Sequence, residues 1–471
     1  MVKTKLLSTL ICLSAALQSG ALEVDWTYST PDAKWQKSTE FEVIPYDRHN
    51  PYDVMVTPYA EQTMLGFGGC FAELGWDALN VLNTRERAGV LNQLFGADGL
   101  NLAFCRTPIG ANDFARNWYS YNENDGDFAM KKFSVARDKK GLIPYIKAAL
   151  KVNPALKLWG SPWSPPTWMK TNHHYSNKAA SINGLKPENE MHPGDDQFIE
   201  KDEYFKAYAL YFSKFLTAYK KNGININMIM FQNEPYTINV WPNCSWTPRL
   251  MKKFVGSYLG PELAKNHKNV DIWHGTMNTG KVGEVLEVVT DPAAGKYIKG
   301  VGIQWEGREI VKDVYRHNHK LGLMCTENEC GNGSNDWAAA EHTFDHIHSY
   351  VGDGCGAYMY FNMVLGETGM SSWGWKQNSL VVVDSKSKTA SFTPEFYVMK
   401  HFSHFVPVGS VKMKTMGNDE HMLAFKKADG SFVIVIANKS KHERKVNITL
   451  DYTNVLTVKL KAKSFNTLVI K

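Results

Sequence analysis

The chain has 471 residues, of which 44% are hydrophobic, 21% charged and 12% aromatic. That length suits two or three domains, or one large barrel with an accessory module, and the apolar fraction excludes disordered, collagenous and small disulfide-stapled classes. The net charge of +6, from 53 basic and 47 acidic residues, is spread along the chain and forms no basic stripe, so no nucleic-acid partner is expected. The 14 Trp stand out, since flat indole faces serve for packing and for stacking against sugar rings.

The first residues read as a secretory signal. Lys3 and Lys5 precede an apolar run from Leu6 to Leu17, and Ser19 and Ala21 put small residues at the −3 and −1 positions of a cleavage site. The run is too short to span a bilayer, and no other uncharged apolar stretch of about 18 residues follows. The chain is therefore expected to be exported, extracellular or periplasmic, with no integral membrane segment once residues 1–21 are removed. Six cysteines remain: Cys70, Cys105, Cys244, Cys325, Cys330 and Cys355. Their even number permits disulfides, while the apolar runs around Cys105 and Cys325 favour buried free thiols.

Strand-like Phe41–Ile44 and Val54–Val56 come first. Eight short apolar runs follow: Met64–Phe67, Leu100–Cys105, Leu156–Gly160, Met228–Gln232, Val270–His274, Gly300–Gln304, Leu321–Cys325 and Ala357–Phe361. Between them lie amphipathic segments such as Tyr204–Tyr219, whose Phe205, Tyr208, Phe212, Leu216 and Tyr219 share one face, with Gly223 behind as a C-terminal cap. This alternation predicts an α/β fold, a (β/α)8 TIM barrel with enlarged loops. A doubly wound sheet is disfavoured, because Gly66-Phe67-Gly68-Gly69 is followed by Phe71 where a dinucleotide loop needs its third glycine. After Pro407, Met422–Phe425 and Phe432–Ala437 flank Asp429-Gly430, a hairpin turn signal, and Val446–Leu450, Val458–Leu460 and Thr467–Ile470 are further strands. The predicted division is a signal over 1–21, a β-sandwich from 22–61 together with 405–471, and a barrel over 62–404.

Working residues of such a barrel sit at the C-terminal ends of its strands. Glu234 closes the fourth run in Asn233-Glu234-Pro235 and Glu327 closes the seventh in Cys325-Thr326-Glu327, so the two carboxyls face each other across the mouth. Facing carboxyls are what glycoside hydrolysis requires: one protonates the leaving oxygen, the other attacks or stabilises the anomeric carbon. Glu329 is a rival nucleophile with the same strand parity, although it lies past the rim. A non-catalytic carbohydrate-binding barrel is the competing class, and it has no need of both acids.

With these residues the chain resembles glycoside hydrolase family 30, which contains glucosylceramidase and microbial β-1,6-glucanases. The likeness runs through Gly66-Phe67-Gly68-Gly69, Cys105-Arg106-Thr107-Pro108, Asp113-Phe114, the long block from Ser161-Pro162-Trp163 to Thr171-Asn172, Asn233-Glu234-Pro235, Thr326-Glu327 and His401-Phe402-Ser403. It implies a barrel fused to a β-sandwich and a retaining mechanism, with Glu234 as acid/base and Glu327 as nucleophile. It also implies that Asp113 and Trp163 hold the sugar in the −1 subsite. Arg106 is expected to lower the pKa of Glu327, and Asn233 to donate to the sugar 2-hydroxyl. Where glucosylceramidase has His-Trp-Tyr and Trp-Asn, this chain has Gln304-Trp305-Glu306 and Phe361-Asn362, which makes Gln304, Glu306 and Phe361 specificity candidates. The departures point to a β-1,6-glucan substrate, cleaved internally, with glucosylceramide or another β-glucoside as the alternative.

Trp241, Trp246, Trp373 and Trp375 follow strands four and eight and are either further sugar platforms or loop anchors. His342 and His346 are spaced i, i+4 with no evident third ligand, which reads as a surface pair, so neither metal nor cofactor is expected. Asn243, Asn332, Asn438 and Asn447 open glycosylation sequons.

Overall fold

The computed structural model describes residues 22–471 apart from 48, 50, 51, 420 and 451, so the signal segment lies outside the described residues. Eight parallel strands close a barrel: β1 (Gly66–Cys70), β2 (Phe104–Pro108), β3 (Lys157–Ser161), β4 (Met228–Met230), β5 (Asp271–Met277), β6 (Ile298–Gln304), β7 (Gly322–Glu327) and β8 (Ala357–Asn362). Each of the eight predicted runs supplies one strand, and β8 returns to β1, pairing from Ala357↔Gly66 to Tyr360↔Gly69 and, after a one-residue shift, Asn362↔Cys70. The barrel is filled by Phe104, Trp159, Met228, Met230, Trp273, Met324 and Met359. Gly300 and Gly322 make room for Trp273, whose indole carbons lie 2.6 Å from where their Cβ atoms would stand. At Gly68 a Cβ would come within 1.7 Å of the Phe104 carbonyl oxygen, so the glycines of the first run permit close strand approach.

Helices cover the barrel through single apolar faces. Asp202–Lys221 buries Phe205, Tyr208, Phe212, Phe215, Leu216 and Tyr219, and Gly223 follows at φ 78°.

The remaining strands form one ten-stranded sheet that curls around a second core containing Trp26, Val54, Ile434, Ile436, Val446, Leu456 and Leu468. Its order is Gln36–Ser38, Val24–Ser29, Ser464–Ile470, Phe432–Asn438, Met422–Lys426, Val411–Gly417, Val54–Thr63, Arg444–Thr449, Asn454–Leu460 and Phe41–Pro45, so N- and C-terminal segments interleave. Gly430 takes φ 87° in the hairpin expected there. Val24–Ser29, Gln36–Ser38 and Val411–Gly417 were not expected as strands; the last carries Lys412 and Lys414, which break its apolar pattern. His401, on the helix Pro394–Ser403, joins the two cores: its Nδ1 lies 2.9 Å from Thr467 Oγ1 and its Nε2 3.0 Å from Ser29 Oγ.

A three-stranded sheet of Val364–Gly366, Val381–Asp384 and Thr389–Phe392 was also unforeseen; the long connection between its first two strands carries Trp373 and Trp375. The six described cysteines are buried free thiols. Asn243 and Asn438 are buried, with amide nitrogens bonded to backbone carbonyls, so these two sequons offer no acceptor at the surface. No helix among the described residues is long and apolar enough to cross a membrane.

Candidate active site

The mouth of the barrel holds a cavity of about 290 Å³ lined by Asp113, Trp163, Asn233, Glu234, Thr237, Asn239, Trp241, Asn278, Trp305, Glu306, Glu327 and Trp375. Both candidate carboxylates open into it. β4 ends at Met230, earlier than the sequence suggested, and Glu234 is carried to the rim by an irregular segment in which its own backbone is left-handed, at φ 47°. That conformation is strained for a residue with a side chain. Thr276 holds it there: its Oγ1 accepts the Glu234 N–H at 3.2 Å and donates to Asn233 Oδ1 at 3.0 Å.

Gln304, the last residue of β6, joins the two acids. Its Nε2 donates to Glu234 Oε1 at 2.9 Å and lies 3.4 Å from Glu327 Oε2, and its Oε1 accepts from Thr326 Oγ1 at 2.7 Å, which fixes the amide's orientation. One nitrogen within these distances of both oxygens keeps them closer together than about 6.5 Å, the lower limit for a pair that must seat a water between them. Thr237 Oγ1 donates to Glu234 Oε2 at 2.9 Å and accepts from Asn278 Nδ2 at 2.8 Å.

Arg106, at the C-terminal half of β2, is fully buried and fixed on every side. Nη1 bonds Glu327 Oε2 at 2.8 Å, Nη2 bonds Asn233 Oδ1 at 2.6 Å, and Nε and Nη2 both reach Ser161 Oγ. Its guanidinium lies 4.0 Å from the centroid of the Trp163 ring and 4.9 Å from that of Trp159. Asn233 Oδ1 is thus occupied by Arg106, Thr276 and Gln304, and the residue lines the cavity.

Asp113 accepts from Trp373 Nε1 at 3.0 Å, and burial, with Glu234 nearby, pushes its carboxyl up to about 7. Arg106 does exert the lowering field on Glu327 expected from the sequence. Burial outweighs it, however, and with Glu234 and Asp113 adding repulsion the net direction for Glu327 is upward. Burial raises Glu234 as well, against the donors Gln304 and Thr237. Three buried carboxyls thus share the pocket with one fixed guanidinium. One negative charge is compensated, and it belongs on Glu327, in direct contact with Arg106; the proton of the pair belongs on Glu234.

The other predicted site residues divide. Trp163 lines the cavity and Glu306 stands exposed at its mouth. Phe361 does not line it; the ring is buried and stacks behind Trp163 at 6.0 Å, so it supports the Trp163 indole from behind instead of meeting the cavity. Trp373 packs on Trp241 at 4.6 Å and on Trp375 at 5.2 Å, and Trp375 lies 6.2 Å from Trp305, giving a rim of four half-buried indoles. Trp246 is a loop anchor: it is buried against Phe198, with Nε1 on Gln232 Oε1 at 3.3 Å. Glu329 turns away from the cavity toward His342 and His346. The long Ser161–Asn172 block folds around buried Lys170, whose Nζ donates to Ser164 Oγ and to the Tyr175 and Asn243 carbonyls, burial pushing its pKa down to about 7. Sequence reasoning gave no role to Thr237, Thr276, Asn278 or, within its quoted block, Ser161, since single small polar residues at or just beyond strand ends carry no distinguishing signal.

Residues 64–406 match the glycosyl hydrolase family 30 TIM-barrel domain, and residues 408–468 match the glycosyl hydrolase family 30 beta sandwich domain. The chain is 30% identical over 440 residues to putative glucosylceramidase 1 of Caenorhabditis elegans, covering 87% of this chain and 81% of that protein. It is 27% identical over 415 residues to an endo-1,6-beta-D-glucanase of Neurospora crassa, covering 82% and 81%. Among solved structures, SrfJ from Salmonella typhimurium superposes with a TM-score of 0.84 at 24% identity, over 95% of this chain and 99% of that one. The chain belongs to glycoside hydrolase family 30 and is a glycoside hydrolase.

Proposed function

We propose that the protein is an exported, retaining β-glucoside hydrolase acting on β-1,6-glucan from within the chain, with Glu327 as nucleophile and Glu234 as acid/base. The observation that supports this reading is the single Gln304 amide nitrogen shared by the two carboxyls, which holds one oxygen of each within reach of one donor, as the close spacing of a retaining pair requires. In the first step Glu327 attacks C1 of the bound glucose while Glu234 passes its proton to the departing glycosidic oxygen. The resulting ester removes the charge of Glu327, so Glu234, now ionised, takes a proton from the incoming water, which attacks C1 and frees Glu327. Asn233 Nδ2 meets the 2-hydroxyl, Asp113 accepts from a ring hydroxyl, and Trp163 packs on the sugar face.

The rim of Trp241, Trp305, Trp373 and Trp375 supports a chain substrate, since successive sugar units need successive platforms. Likeness to an endo-1,6-beta-D-glucanase supports the same choice. Glucosylceramide is the second reading, favoured by the 30% identity with a putative glucosylceramidase. Chromatography of products from β-1,6-glucan, an aryl β-glucoside and glucosylceramide separates the two: oligosaccharides released from the glucan support the first, and hydrolysis confined to the lipid overturns it. Export is read from residues 1–21, and N-terminal sequencing of the secreted protein is expected to begin at Leu22.

A further inference from the structure

Glu329 leaves β7 two residues after Glu327 and faces the helix Trp337–Gly352, where His342 and His346 stand one turn apart. Nε2 of His342 lies 3.4 Å from one carboxylate oxygen of Glu329, and Nε2 of His346 lies 3.5 Å from the other. The three ligating atoms fall within 4.8 Å of one another. Both separations are longer than the ~2.7–3.2 Å of an N–H···O hydrogen bond. Each is near the edge of a tetrahedron, about 3.3–3.4 Å, whose corners lie about 2.0–2.1 Å from a central zinc ion; the two end on different oxygens of Glu329, either of which can face the ion.

A second observation points the same way. The His346 side chain is 2% exposed, yet neither of its ring nitrogens has a hydrogen-bond partner. An imidazole buried without partners is costly, and an ion bound to its lone pair would remove that cost. His342 and Glu329 are 48% and 35% exposed, which gives the ion an entry path and leaves a position for water. The sequence offered only the histidine pair; closure of β7 onto the following helix supplies the third ligand and buries one histidine that the pattern placed at the surface.

We propose that Glu329, His342 and His346 bind one divalent transition-metal ion of the zinc class, fastening the end of β7 to the helix after it, outside the sugar cavity. Two imidazoles and a carboxylate suit zinc, whereas magnesium prefers an all-oxygen octahedral shell. The test uses untagged full-length protein freed of metal with a chelator and then titrated with ZnCl2 by calorimetry, with Tm followed in parallel. One equivalent should bind, with Tm rising by at least about 2 °C, while MgCl2 has no effect. His342→Ala, at a half-exposed position that leaves the fold intact by circular dichroism, should lose both responses, and so should Glu329→Gln. Absence of stoichiometric binding, an equal response to MgCl2, or unchanged zinc binding in His342→Ala would overturn the proposal.

Discussion

Each acid of the pair is defined by its neighbours more than by its type. Glu327 is hydrogen-bonded to a buried guanidinium, whereas Glu234 is hydrogen-bonded to the neutral donors Gln304 and Thr237, and this asymmetry favours the charge on one and the proton on the other. Glu327→Gln should reduce turnover by at least about 10³-fold while Tm and circular dichroism stay near those of the parent; a variant keeping most of its activity removes the nucleophile assignment. Thr237→Ala removes a bond to the charged form of Glu234. Its pKa, already raised by burial, should rise further, and the alkaline limb of the kcat/KM profile should move up by as much as about one pH unit. An alkaline limb that stays put or moves down contradicts that role. The two acids were legible in the sequence because each closes an apolar run. The Gln304 bridge was not, because it exists only once barrel closure brings the end of β6 between β4 and β7.

Elements were legible where their burial was uniform. All eight barrel strands are buried along nearly their whole length, as expected for parallel strands covered on both faces. Val411–Gly417 and Gln36–Ser38 escaped notice because lysines interrupt their apolar pattern, and the small sheet beside β8 because its strands are only three or four residues long. The Gly-Phe-Gly-Gly run illustrates how one motif can suggest a phosphate loop and prove to be a packing device. Gly68→Ala should destabilise the fold by more than about 3 kcal/mol or prevent folding, because the obstacle is the Phe104 backbone, which cannot move aside; denaturant melts would expose a smaller effect.

At the scale of the whole molecule, the barrel and the sheet meet through His401, which contacts strands from both ends of the chain. Burial pushes His401 down to about 3 from its ordinary 6.5, so the unfolded chain takes up this proton more readily than the folded one. Its contribution to stability is intact above about pH 6.5 and is lost progressively as pH falls toward 3. His401→Ala should lower stability by about 2 kcal/mol or more at neutral pH, through lost hydrogen bonds and a cavity, and should flatten this acid-side decline. Equal slopes for variant and parent between pH 6.5 and 4 would assign the acid sensitivity to other groups. The division of the chain into a barrel and a sheet that gathers both termini rests on such long-range contacts, which local patterning only hinted at.

The central claim is that Glu234 and Glu327 act together with retention at the anomeric carbon. Proton NMR of the earliest products of β-glucoside hydrolysis in D2O tests it most directly, provided spectra are taken before mutarotation. The account predicts that the β anomer forms first and the α anomer grows in later; an initial α anomer would mean direct displacement by water and would contradict the assignment of Glu327 as nucleophile.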